Sequence, residues 1–381
     1  SSVIPFDEKY DFFHRASLCF GRSALMLSGG GSLGHFHLGV IKALKERDLV
    51  PHVISGSSAG SMVSAIYGTR SPQEMAEYLD VESLVAEFSA EAGELQRMRE
   101  GKVGNYSTEE VMAALERLIP NLTFQEAYDR TGCYINISVA PAELHQTSRL
   151  LNAITSPNVL VRDAVLASCA VPGVFPSVAL RAKDASGLIQ DYLPGRRWID
   201  GSFSEDFPIK RLSRLYGVNH YIGSMINPIV YFSNEHAGSD RPDMRARFRQ
   251  WSYRNVSSSL RYANQLVQRY SGDSPRLKMV ASTASAVFSQ NYKVDIAVYP
   301  NFEQFDLRKL IQPMAGEKLL EIFKQGERAG WRKLGMIDNC TKISRALDDA
   351  LLATERRAVP GRVHRPTLAG HLLDAASNDT T

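Results

Sequence analysis

Near the start of the chain, apolar and polar positions change period in a regular order. Ala24 to Leu27 is a short unbroken apolar run that ends at Gly29-Gly30-Gly31, the pattern of a buried strand entering a turn. Leu38, Ile41, Lys42, Leu44 and Lys45 then follow a helical period, and His52 to Ser55 is a second short strand. Gly56-Ser57-Ser58-Ala59-Gly60 turns the chain sharply into another helix. Ala24 to Gly68 therefore reads as strand, glycine turn, helix, strand, sharp turn, helix.

The remaining elements follow the same kind of signal. Phe6 to Phe20 predicts a helix packed on the domain rather than part of its sheet. Ser71 to Gly101 predicts surface helices over the core, with Met75, Tyr78, Leu79, Leu84, Val85 and Phe88 at helical spacings. Ser107-Thr108-Glu109-Glu110 opens a helix through Val111 to Leu118 that Pro120 closes. Cys133 to Ala140 predicts a central strand with Arg149 to Ile154 as a partner, and Val159 to Ala170 a helix broken by Val171 to Pro176. Arg181 to Arg197, with Gly187, Pro194 and Gly195, reads as a surface loop or hairpin. Arg197 to Ser202 then puts Asp200 at the end of a short strand before a glycine, and Pro208 opens the next helix. His220 to Met225 and Val294 to Tyr299 are further strands, and Ala315 to Leu334 and Asn339 to Arg357 are helices. Between them, Arg241 to Tyr270 alternates Arg245, Arg247, Arg249, Arg254, Arg261 and Arg269 with Met244, Phe248, Trp251, Leu260 and Leu266. That is the pattern of a basic amphipathic helix, which either packs on the domain with a solvated cationic face or lies at an anionic lipid surface.

Strands alternating with helices call for an α/β fold with a mostly parallel sheet. The expected segments are 1–22, an N-terminal helical segment; 23–228, an α/β catalytic domain; 229–357, the basic helix, a final strand and C-terminal helices packed on that domain; and 358–381, a flexible polar tail.

Gly56-Ser57-Ser58-Ala59-Gly60 fits the G-x-S-x-G nucleophile elbow, with Ser58 at its centre. A serine raised on a strand-to-helix turn needs neighbours without bulk, which Gly56, Ala59 and Gly60 supply, and the following helix points its N-terminal dipole at it. One βα unit earlier, the backbone N–H groups of Gly29, Gly30 and Gly31 stand at a helix N-terminus, where an anion is readily held. Gly29-x-Gly31-x-x-Gly34 also fits a dinucleotide fingerprint, but that motif wants an acidic residue at the end of the second strand. Here that strand ends in Ser55-Gly56-Ser57-Ser58, so acyl transfer with an oxyanion cradle is the better reading.

A serine nucleophile needs a base. None of the nine histidines falls in an obvious base-bearing loop, and His35 and His37 lie on the helix after the glycine turn. Asp200 is the stronger candidate, because a carboxylate at a strand end beside Gly201 can face the same crevice as Ser58.

Composition narrows the picture. A formal charge of +3 over 381 residues does not suggest nucleic acid, and no window approaches a membrane-spanning length of apolar residues. Cys19, Cys133, Cys169 and Cys340 show no metal-ligand spacing, and Cys133 and Cys169, in apolar surroundings, are expected as buried thiols. Ser1 to Lys9 lacks the pattern of a signal peptide. An intracellular, cytoplasmic protein is expected.

Gly29-Gly30-Gly31-Ser32-Leu33-Gly34, Gly56-Ser57-Ser58-Ala59-Gly60 and Asp200-Gly201 occur in an order that resembles the patatin-like phospholipases and lipases. The stretches CFGRSALMLSGGGSLGHFHLGVIKAL, VISGSSAGSMVSAI, NLTFQEAYDRTG, LASCAVPGVFPS, RRWIDGS and VNHYI are similar to the yeast and plant triacylglycerol lipases of that superfamily, and the likeness covers most of Cys19 to about Ala350. The resemblance implies a three-layer α/β/α fold with extra C-terminal helices. It also implies a Ser-Asp dyad of Ser58 and Asp200, and an oxyanion region at Gly29, Gly30 and Gly31, supported by Gly34, Gly56, Gly60 and Gly201. Such an enzyme needs no metal or organic cofactor; its partners are a lipid substrate and a membrane or lipid-droplet surface. Two positions depart from the wider family: Leu33 stands where patatins proper carry arginine, and Ser202 where many relatives have glycine or alanine. A transacylase, a lipid-binding protein with a dormant site and, more remotely, a nicotinamide-binding protein are the alternatives.

Overall fold

In a computed structural model, the described residues are 4–100, 108–143, 147–171, 175–202, 206–227, 294–301 and 314–358. The basic stretch Arg241 to Tyr270 and the tail from Val359 lie outside them.

The apolar run of the first strand is fully buried because it becomes the middle of a sheet. Strand β1 (Arg22–Leu27) pairs in parallel with β2 (Val53–Gly56) on one side and β8 (Val218–Ser224) on the other. Beyond β2 lies β3 (Tyr134–Pro141), also parallel, and beyond β8 lies β9 (Ile296–Val298). β4 (Arg149–Leu151) and β7 (Trp198–Asp200) pair antiparallel with β3, completing a seven-stranded sheet among the described residues. β5 (Arg181–Lys183) and β6 (Ile189–Asp191) form a separate antiparallel hairpin.

Helices flank the sheet, giving the layered α/β architecture expected. Between β1 and β2 runs α2 (His35–Lys45), entered through a 3₁₀ turn at Gly31–Gly34, and α3 (Ala59–Gly68) leaves β2. Then come α4 (Pro72–Tyr78), α5 (Val81–Glu100), α6 (Thr108–Leu118) and α7 (Phe124–Thr131). Ser71 and Thr123 close capping boxes with Glu74 and Glu126, which fixes the starts of α4 and α7. α8 (Val161–Ser168) precedes β5, and α9 (Ile209–Tyr216) precedes β8.

The two C-terminal helices are α10 (Gly316–Trp331) and α11 (Leu334–Ala358). α10 packs along α2, and its Leu319, Ile322 and Phe323 enter the same core as β1. The crossing is close: a Cβ on Gly39 of α2 would lie 2.0 Å from the Phe323 carbonyl oxygen, and one on Gly326 of α10 would lie 2.0 Å from that of Phe36. The N-terminal helix α1 (Phe6–Phe20) packs on α11.

Several boundaries differ from the sequence reading for visible reasons. β4 stops at Leu151 because the Asn152 side chain accepts from the amides of Ile154 and Thr155, turning the chain. α8 starts at Val161 rather than Val159, since Val159 bridges to Ala182 and the Leu160 amide donates to the Arg181 carbonyl. α11 begins at Leu334, before the expected Asn339. Cys133 is buried as expected, whereas Cys169 is only partly so by surface area; burial raises both thiols to about 12.

Candidate active site

The site is built on the C-terminal ends of β1, β2 and β3. Where β2 ends, Ser58 adopts φ 49° and ψ −122°, a conformation that side chains other than glycine rarely take. Neighbouring bonds hold it there. The Ser58 amide donates to Ser168 Oγ at 2.9 Å, and Ser168 Oγ donates to the Ser138 carbonyl at 2.8 Å. Ser61 Oγ donates to the Ser58 carbonyl at 2.6 Å. The flanking glycines are there for space: a Cβ on Gly60 would lie 2.1 Å from the Leu27 carbonyl oxygen, and one on Gly56 would lie 2.2 Å from that of Gly60. The strained turn brings a half-buried Ser58 to the N-terminus of α3.

The register places Asp200 beside it. Ile137 of β3 pairs with Gly56 on one edge and with Leu151 of β4 on the other. Val139 pairs with Arg149 of β4 and also with Asp200 of β7, so β7 occupies the edge that β2 has left. The elbow turns away from β3 at Ile137, and Asp200 arrives on the same edge two residues further on, a rise of roughly 7 Å. Gly201 makes this possible, since a Cβ there would lie 2.4 Å from the Ser138 carbonyl carbon.

Asp200 is 1% exposed, and burial raises its carboxyl to about 6, while hydrogen bonding from Ser202 and Ser58 acts the other way. The Ser202 amide donates to Oδ1 at 2.8 Å; Oδ2 makes no full hydrogen bond among the described residues. The Ser58 side chain thus approaches the carboxylate closely enough to favour its ionised form without a tight bond, as catalytic pairs without substrate often do.

The glycine turn lies against both. A Cβ on Gly29 would lie 3.3 Å from the Cβ atoms of Ser58 and Ser202, and one on Gly34 would lie 3.2 Å from that of Ala59. Gly31 has φ 58°, and no described group accepts from the amides of Gly30 or Gly31. Gly29 is different. Its amide donates to Asp206 Oδ1 at 3.0 Å, so it does not join the expected oxyanion donors, a buried carboxylate having captured it. Ser57 Oγ donates to the same Asp206 oxygen. Ser28 Oγ donates to the Gly29 carbonyl at 3.1 Å and accepts from the Ile226 amide at 2.9 Å.

Below the turn, His37 is wholly buried, with Nε2 at 2.9 Å from the Ser28 carbonyl and Nδ1 at 2.7 Å from Ser224 Oγ. The carbonyl can only accept, so Nε2 donates and Nδ1 accepts. Burial pushes the pKa of His37 down to about 4, which keeps the ring neutral. His37 braces the turn, and Leu33, the apolar departure, is fully buried beside it.

The structure therefore brings Ser58, Asp200, Gly30, Gly31, Gly34, Gly56, Gly60 and Gly201 into one site. Sequence reasoning missed Asp206, Ser168 and the bracing part of His37. Asp206 stands in Ser204-Glu205-Asp206-Phe207-Pro208, where no spacing marks it, and its partners lie 177 and 149 residues earlier. No group of three or more His, Cys, Asp or Glu that could hold a metal ion occurs among the described residues.

A profile of the family described as patatin-like phospholipase matches residues 25–213. Triacylglycerol lipase SDP1L of Arabidopsis thaliana is 34% identical over 369 residues, 91% of this chain and 44% of that protein. Triacylglycerol lipase 4 of Saccharomyces cerevisiae is 34% identical over 361 residues, 89% of this chain and 39% of that one. The chain thus spans less than half the length of these curated relatives. Among solved structures, VipD from Legionella pneumophila aligns over 83% of this chain and 67% of its own at 15% identity, with a TM-score of 0.40.

Proposed function

The chain belongs to the patatin-like phospholipase family, and on that premise we propose that it is a serine lipid acyl hydrolase cleaving fatty-acyl esters of glycerolipids through Ser58 and Asp200. The observation that carries the reading is the placement of Asp200 on the edge of β3 that β2 vacates, beside a strained Ser58.

Ser58 Oγ attacks the ester carbonyl while Asp200 takes its proton and passes it to the departing alcohol. The acyl group remains on Ser58 until a water molecule, giving a proton to Asp200, attacks it and releases the fatty acid; the proton then returns to Ser58. The amides of Gly30 and Gly31, which have no acceptor among the described residues and lie at the N-terminal side of α2, supply donors for the oxyanion. Burial that raises Asp200 to about 6 leaves it mostly ionised at neutral pH and more basic than an exposed aspartate.

The substrate class, triacylglycerol or phospholipid, is proposed from the names of the relatives. Such a substrate is presented at a membrane or lipid-droplet surface, and among the described residues no helix is long and apolar enough to cross a membrane. The proposal includes peripheral binding at that surface, with the arginines of Arg241 to Tyr270 as the cationic element.

Ser58→Ala and Asp200→Asn should each lower kcat for p-nitrophenyl esters by about 10³-fold or more while the far-UV circular dichroism stays that of the parent. Parental turnover in either variant would sink the dyad.

A further inference from the structure

Asp206 is a buried carboxylate, 2% exposed, that the reaction just described does not use. Its Oδ1 accepts two hydrogen bonds from two different parts of the site: the amide of Gly29, in the glycine turn after β1, and the hydroxyl of Ser57, the residue before the nucleophile. These donors come from successive βα units and are joined by no hydrogen bond of their own among those described. We infer that Asp206 is a positioning residue that clamps the oxyanion turn to the nucleophile elbow, setting the distance between the Gly30 and Gly31 amides and Ser58 Oγ. The inference rests on the ester-hydrolase reading of the same site.

The geometry gives the clamp something to act through. The Gly29 amide is held by Asp206 on one side of the residue, and the Gly29 carbonyl is held by Ser28 Oγ on the other. In a trans peptide the N–H points opposite to the preceding C=O, so pinning the Gly29 carbonyl aims the Gly30 amide the other way. Ser28 Oγ is itself fixed by the Ile226 amide. Rotation of the Gly29–Gly30 peptide would therefore break the Ser28 bond, and rotation of the Ser28–Gly29 peptide before it would break the Asp206 bond. On the elbow side, Ser57 precedes a residue whose φ is 49°, and its own amide reaches the Leu27 carbonyl at 3.3 Å. A tether on the Ser57 side chain opposes relaxation of that strained turn. With both donors on one oxygen atom, a shift of the turn away from the elbow costs at least one of two buried bonds.

Each bond needs an acceptor oxygen and not a negative charge. Asparagine at position 206 keeps such an oxygen; alanine does not. This separates a clamp from a second catalytic base, which would fail equally with either residue. It also separates a clamp from a purely structural residue, whose loss would lower stability and leave turnover per folded molecule intact.

The test uses the full chain with p-nitrophenyl butyrate, active sites being counted by a fluorophosphonate probe. Asp206→Ala should lose about 10- to 100-fold in kcat with KM within about threefold, and should label with the probe correspondingly more slowly. Asp206→Asn should recover most of both rates. Ser57→Ala, a gentler change that leaves the Gly29 bond, should fall between them and keeps the question open to measurement if Asp206→Ala does not fold. Overturning results are a lowered melting temperature with kcat per labelled site unchanged in Ser57→Ala and Asp206→Ala, or an Asp206→Asn variant as slow as Asp206→Ala. Wild-type protein that neither hydrolyses the ester nor labels at Ser58 would overturn the ester-hydrolase reading, and the clamp with it; an active wild type with unaffected variants overturns the clamp alone.

Discussion

The Asp200 carboxyl is buried and raised to about 6, which binds activity and stability to pH in opposite directions. In the proposed mechanism it serves as base only when ionised, so kcat/KM should fall about tenfold per pH unit below pH 6. The native state holds the proton more tightly than the unfolded chain, so the stabilising contribution is complete below the unfolded pKa near 4 and is lost as pH rises through 6. At pH 8 the ionised group is a net burden on the order of 3 kcal/mol. Asp200→Asn should therefore be inactive yet melt higher than the parent at pH 8, with the gain shrinking toward pH 5; a gain independent of pH would argue against the raised carboxyl. Ser58, Asp200 and the glycines were legible in the sequence because each sits in a short motif whose spacing encodes a turn. Asp206 was not, since its contacts span more than a hundred residues, and the bond its Oδ1 accepts from the amide of Gly29, expected among the oxyanion donors, was hidden for the same reason.

Among the elements, β3 carries the site's ruler. Because Asp200 and the end of β2 share one of its edges, their separation changes only in steps of the strand repeat, and a one-residue slip would turn Asp200 to the opposite face. Most elements were legible from their period. The unforeseen boundaries, at β4, α8 and α11, depend on side-chain turns or on bridges to distant segments. The α2–α10 contact was equally hidden, since nothing about Gly39 or Gly326 in isolation announces a helix crossing. With a Cβ at Gly39 only 2.0 Å from the Phe323 carbonyl oxygen, Gly39→Ala must push the helices apart. The expected loss is about 1–3 kcal/mol, read as a lower urea midpoint. An unchanged midpoint would mean that the crossing is looser than described.

At the scale of the whole molecule, the segment after 228 is no appendage. β9 extends the sheet beside β8, and α10 contributes to the core around β1, so the described residues of 23–228 and 229–357 share one hydrophobic core. The net charge of +3 is small, so attraction to a lipid surface has to come from local clustering. Arg245→Glu, Arg249→Glu and Arg254→Glu combined should reduce co-sedimentation with phosphatidylserine-containing vesicles while hydrolysis of a water-soluble ester is retained. Unchanged co-sedimentation would remove that stretch from the account. The tight seat of α10 on α2 has a consequence for the making of the protein. Gly326 follows Gly39 by 287 residues, so the apolar side of α2 leaves the ribosome well before the helix that covers it. At roughly 5–20 residues per second that wait lasts some tens of seconds, during which the nascent polypeptide carries an unmated seam and depends on chaperones or on delayed collapse to reach the native state.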